Sequence, residues 1–116
     1  MFGLQVVNQT AFRRCLRVFP SVAFREGYLL HDADWLYRTG PCLDVSCFFA
    51  ETLVDQGAVA PWDDEDGWPI LDMRVDGVLH HALVVEGVAY DWTFRQFRRT
   101  AKVPTLWAPQ DVRGLA

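Results

Sequence analysis

The apolar positions change period once along the chain. Up to residue 57 they recur at helical spacing, and from residue 70 they alternate. Residues 9–18 and 21–30 read as two helices broken at Pro20, which lacks an amide donor and crowds the preceding turn, with Ser21 placed as a cap. Residues 32–38 read as a further turn or short helix capped by Asp32. The best-marked helix follows. Gly40 can cap it, Pro41 suits its first position and Gly57 suits its end. Leu43, Ser46/Cys47, Ala50 and Leu53/Val54 recur along it, and Phe48 and Phe49 widen the apolar face, so it should be largely buried. Residues 58–69 read as a loop carrying Asp63-Asp64-Glu65-Asp66. Ile70 to Arg74, Val78 to Val84 and Val88 to Trp92 then read as three antiparallel strands. The two links between them echo each other as Val75-Asp76-Gly77-Val78 and Val85-Glu86-Gly87-Val88. After Thr93 the tail is basic at Arg95, Arg98 and Arg99 and broken by Pro104 and Pro109. Helices followed by a meander imply an α+β fold: N-terminal helices and a buried helix packed on a small antiparallel sheet.

Composition narrows the classes. A chain of 116 residues is one domain, spanning 1–116, and is long enough for a core. Hydrophobic residues at 51% and charged residues at 22% exclude disorder. A net charge of −4 argues against nucleic-acid binding, which draws on a basic surface. No apolar run reaches the roughly 18 residues of a membrane span, and the first ten residues lack the basic and apolar regions of a secretory signal. Three cysteines, an odd and low number, imply reduced thiols and a cytoplasmic setting.

The candidate chemistry is a Cys-His-Asp triad of Cys42, one of His80 or His81, and Asp91. Cys42 stands in the first turn of the buried helix, where free amides and the helix dipole favour a thiolate. An imidazole can share its proton, and a carboxylate can orient the imidazole. The turn at residues 85–88 decides which histidine is meant. A two-residue Glu86-Gly87 turn would pair Val85 with Val88 and put Asp91 on the face of His80. A three-residue Val85-Glu86-Gly87 loop would put His81 opposite Asp91. Glu86 fits the first turn poorly and Gly87 suits the left-handed position of the second, so His81 is expected. Cys15 and Cys47 read as packing residues. Zinc is disfavoured because His80 and His81 point oppositely and no C-x-x-C occurs. The acidic run lacks calcium-loop spacing. Trp62 and Trp68, on the acidic loop, are expected to border the cleft and bind substrate. Trp35 is expected to bind substrate as a core or cleft-wall residue, ahead of a role as indole donor, with the Cys42 backbone N–H as an oxyanion donor.

Gly40-Pro41-Cys42-Leu43-Asp44-Val45-Ser46 resembles the G-x-C-x-D-x-[AS] start of the nucleophile helix in the transglutaminase-like superfamily. His81-Ala82-Leu83-Val84-Val85 resembles its H-A-W-V-E strand, with Leu83 in place of Trp. Asp91-Trp92-Thr93 resembles its D-P-T, with Trp92 in place of Pro. The resemblance covers residues 40–93. It implies a papain-like fold and a cofactor-free cysteine hydrolase or acyltransferase (a peptidase, deamidase or transglutaminase) acting on a protein or peptide substrate. Cys42 would be the nucleophile, His81 the base and Asp91 its orienting acid. Two alternatives accompany it: an inactive protein-binding module presenting Trp62, Trp68, Trp92 and Trp107, and a leader-peptide peptidase of a peptide-maturation pathway.

Overall fold

A computed structural model describes residues 2–27, 41–63, 65–108 and 110. Its first helix, α1 (Gln9–Arg25), starts where the Asn8 side chain accepts the Ala11 N–H at 3.0 Å. Phe12, Cys15, Phe19 and Ala23 form its buried stripe. The expected break at Pro20 does not occur, for α1 runs through it. The proline forfeits one helical hydrogen bond, but Phe19 and Ala23 on either side are fully buried and hold both halves to one core.

The second helix, α2 (Pro41–Asp55), matches its sequence reading. It ends as Gly57 turns left-handed at φ 69°, with the Gly57 and Ala58 amides returning to the Val54 and Leu53 carbonyls. Its phase is set by Cys42, Val45, Phe49 and Leu53, all buried, so Leu43 faces outward instead of joining the stripe. Residues 28–40, including the expected short helix, the Gly40 cap and Trp35, lie outside the described residues.

Four antiparallel strands form one sheet in chain order: β1 (Ile70–Val75), β2 (Val78–Val85), β3 (Val88–Asp91) and β4 (Thr105–Trp107). The fold is therefore α+β, with two helices and one antiparallel sheet among the described residues. β4 was not legible in the tail; three residues beside a proline carry too little pattern to read as a strand. Both hairpin links are two-residue turns. Asp76-Gly77 has φ of 51° and 79°, and Glu86-Gly87 has φ of 48° and 79°. Val85 pairs with Val88, so the expected three-residue loop is overturned. Glu86 tolerates the left-handed position because the N-terminal segment clamps the turn. The Glu86 and Gly87 amides donate to the Leu4 and Phe2 carbonyls at 2.9 and 2.7 Å.

The sheet is covered on both faces. Leu83 and Val85 point toward α1 and α2 and join Phe12, Phe19, Phe49, Leu53 and Trp92. Ala82, Val84, Met73, Val75 and Ala89 point the other way and are covered by Phe94, Phe97 and Trp107 from the tail. Among the described residues no helix is long and apolar enough to cross a membrane.

The N-terminal clamp generates a test. Gly3 has φ +105°, and a Cβ there would lie 2.5 Å from the Val84 carbonyl oxygen. Gly3→Ala should therefore cost about 2 kcal/mol or more, lowering Tm by several degrees in a thermal melt.

Candidate active site

Cys42 is the second residue of α2, inside the turn whose amides have no helical acceptors and whose end carries partial positive charge. The backbone N–H groups of Leu43 and His81 face its sulfur and favour the thiolate. The ring of His80 stands beside it, so that each group alters the other's ionisation. His80 Nε2 lies 2.8 Å from Asp91 Oδ2, and both side chains are 0% exposed. The second carboxylate oxygen, Oδ1, accepts the Thr93 N–H at 3.0 Å, and the Trp107 indole Nε1–H reaches Oδ2 at 3.4 Å. With Nε2 turned to Asp91, Nδ1 is the nitrogen left for the thiol. Nδ1 makes no aligned hydrogen bond among the described residues, as is common for catalytic contacts before substrate arrives.

Strand geometry explains how a helix on one face meets a histidine on the other. The β2–β3 ladder runs only from Val85↔Val88 to Leu83↔Tyr90, so beyond Leu83 that side of β2 has no ladder partner. The Val84 N–H points toward β1, where it donates to the Pro69 carbonyl. Alternation along the strand then turns the His81 N–H toward the β3 side. At this opening the Cys42 sulfur takes that N–H and meets the His80 ring.

The electrostatics follow from the contacts. Burial opposes ionisation of Cys42, but the neighbouring His80 ring and its charge, with the two backbone amides, outweigh it and hold the thiol below its ordinary 9.0. Burial also opposes charge on His80. The Asp91 hydrogen bond, Cys42 and the Asp91 charge outweigh it and raise the imidazole from 6.5 to about 9. The other two thiols go the opposite way. Burial raises Cys15 despite Arg14, and burial with Asp44 and Glu51 raises Cys47.

Cys42 and Asp91 are thus brought together as expected, but with His80 in the place expected for His81. The correction follows from the two-residue turn: shifting register by one residue exchanges the faces of a strand. His81 lies on the helix-side face, with Nδ1 2.7 Å from Asp72 Oδ1. Trp62 and Trp68 do not join the triad. Both pack against the helix-side core, and the Trp62 indole donates to the Gly67 carbonyl at 2.8 Å. Their loop leaves the C-terminal end of α2 and leads into β1. Trp35 lies outside the described residues. Thr93 and Trp107 escaped the sequence reading as supports of Asp91. Thr93, two residues on, carried a local signal of an Asx-type turn. Trp107, sixteen residues on, carried none.

Two measurements follow. His80→Ala should slow the reaction of Cys42 with dipyridyl disulfide at neutral pH by tenfold or more. His81→Ala should leave it within a few-fold, because residue 81 serves the sulfur through its backbone N–H; mass spectrometry of the labelled peptides reads both. The pH profile of Cys42 labelling should show thiolate reactivity at lower pH than that of Cys15 and Cys47. The imidazolium partner is lost as pH rises through about 9. Asp91→Asn removes a charge that raises His80 and should move that upper limb to lower pH.

No protein-family model, no curated protein and no solved structure matches this chain, so the reading of its function rests on the site's own geometry.

Proposed function

We propose that the protein is a cysteine acyl-transfer enzyme acting on a peptide or carboxamide bond, with Cys42, His80 and Asp91 as its catalytic residues. The carrying observation is the chain of contacts from the Cys42 thiol to the buried His80 ring to the Asp91 carboxylate, with Nε2 and Oδ2 at 2.8 Å. A packing cysteine needs neither a buried histidine at its sulfur nor a buried carboxylate behind that histidine. Burying both is costly unless they are paired. The resemblance of residues 40–46 and 91–93 to transglutaminase-like motifs supports the same reading and suggests a papain-like arrangement of helix and sheet.

The steps use groups already in place. The Cys42 thiolate attacks the acyl carbon, and the carbonyl π electrons move to oxygen, within reach of the first-turn amides of α2. Collapse of this intermediate breaks the C–N bond, and the His80 imidazolium gives its Nδ1 proton to the leaving amine. The acyl group remains on sulfur as a thioester. Water or an amine then attacks that carbon while Nδ1 takes the proton. The C–S bond breaks, restoring the thiolate–imidazolium pair and releasing an acid or a new amide. Asp91 keeps the ring oriented throughout and stabilises its charge.

An acyl-bearing probe of primary-amide or activated-ester type should leave a mass increment on Cys42 alone, and Cys42→Ser should abolish it. Asp91→Asn should slow acylation by about 10²-fold or more, by the orienting role of such carboxylates. A wild-type protein in which no thiol is acylated faster than the others would favour the binding module instead.

A further inference from the structure

A second histidine–carboxylate pair stands back to back with the first and takes no part in the steps above. His80 and His81 are consecutive, so their rings leave opposite faces of β2. His81 lies directly across from Asp72 on β1, and its Nδ1 is 2.7 Å from Asp72 Oδ1. The pair is partly open to solvent: the His81 side chain is 17% exposed and that of Asp72 is 70% exposed. The Asp72↔His81 position is a pair without direct ladder hydrogen bonds, because the His81 amide points the other way. Such pairs bring their side chains closest.

The ring's two nitrogens point in widely divergent directions. Nδ1 is turned toward Asp72 on β1, so Nε2 is directed away from β1. That is the side on which the His81 backbone N–H meets the Cys42 sulfur. The His81 Cβ is two bonds from that nitrogen, which keeps the ring near the Cys42 sulfur. Donation from Nδ1–H to the Asp72 carboxylate also selects the tautomer. In the neutral ring Nε2 then carries a lone pair and accepts hydrogen bonds.

We propose that His81 is a substrate-binding residue, its Nε2 accepting the N–H next to the acyl carbon, and that Asp72 positions it. This inference rests on the acyl-transfer reading and deepens it by naming the substrate class: carboxamides that retain an N–H, in preference to esters of the same acyl group. An ester offers Nε2 no hydrogen and leaves that acceptor unpaired in a partly buried place, which disfavours it. The two dyads divide the work across one strand. His80 moves the proton, and His81 reads the bond to be broken.

The test compares two small alkylators of Cys42 that share a chloroacetyl group, chloroacetamide, which has the N–H, and methyl chloroacetate, which lacks it; the change of their rate ratio between variants cancels their intrinsic difference in reactivity. Dipyridyl disulfide, which has no acyl group, reports the thiolate itself. Rates at Cys42 are read by peptide mass spectrometry on the full chain. His81→Ala should lower the amide-to-ester rate ratio by fivefold or more while the disulfide rate stays within a few-fold. Asp72→Ala, at an exposed position that folding tolerates, should lower the ratio in the same direction by a smaller factor. A ratio unchanged in both variants, with a fast wild-type disulfide rate, overturns the role of His81 and leaves the acyl-transfer reading standing. A wild-type Cys42 that reacts with the disulfide no faster than Cys47 overturns both.

Discussion

The Asp91 carboxylate has no contact with solvent, and a buried charge survives only if it is paired and hydrogen-bonded. Its compensation draws in much of the sheet's surroundings. The His80 ring comes from β2, the Thr93 amide from the turn after β3, and the Trp107 indole from β4. The tail must therefore return to the sheet as β4, and Phe94 and Phe97 must close over His80, whose ring lies 4.9 Å from that of Phe97. Burial of this one carboxylate couples the sheet's last strand to the orientation of the imidazole.

The helix layer supplies the other partner. Phe19, Phe49 and Trp92 interlock, with ring centroids 4.8 to 5.2 Å apart, and seat α2 against the sheet from the opposite side. Trp92 follows Asp91 directly and takes the opposite face. One dipeptide thus anchors α2 through an aromatic ring and orients His80 through a carboxylate. The thiol then meets the imidazole where β2 has lost its β3 partner, a place where a sulfur can accept a backbone amide that would otherwise belong to a ladder. Opposed ionisation of the two groups follows: the charged imidazole offsets the burial of the thiolate, and the thiolate and Asp91 offset the burial of the imidazole.

His81 and Asp72 carry the alternation of the strand one step further. Consecutive histidines on a strand present one ring to each side of the sheet, so a single residue of register separates a buried dyad from a partly open one. The two rings share a backbone segment, and that segment's amide faces the Cys42 sulfur. On the proposed reading, one strand holds a proton-transfer group and a recognition group at fixed spacing.

The sequence by itself determined the α+β order, the extent of α2 with Cys42 in its first turn, the three longer strands, and Cys42 and Asp91 as members of one site. Each of these is written in local periodicity or in residues whose conformational limits act within a turn. It also contained a clue to the register, for the repeated V-x-G-V links form the same two-residue turn at both hairpins. Local preference read Glu86 against that turn. Only the tertiary structure decided between His80 and His81, because the Leu4 and Phe2 carbonyls clamp the Glu86 and Gly87 amides from a segment some eighty residues away. The same holds for Pro20, carried inside α1 by burial on both its sides, and for Trp107, whose bond to Asp91 spans sixteen residues. Contacts between distant segments leave no periodic trace in a sequence, and at this site they choose the histidine.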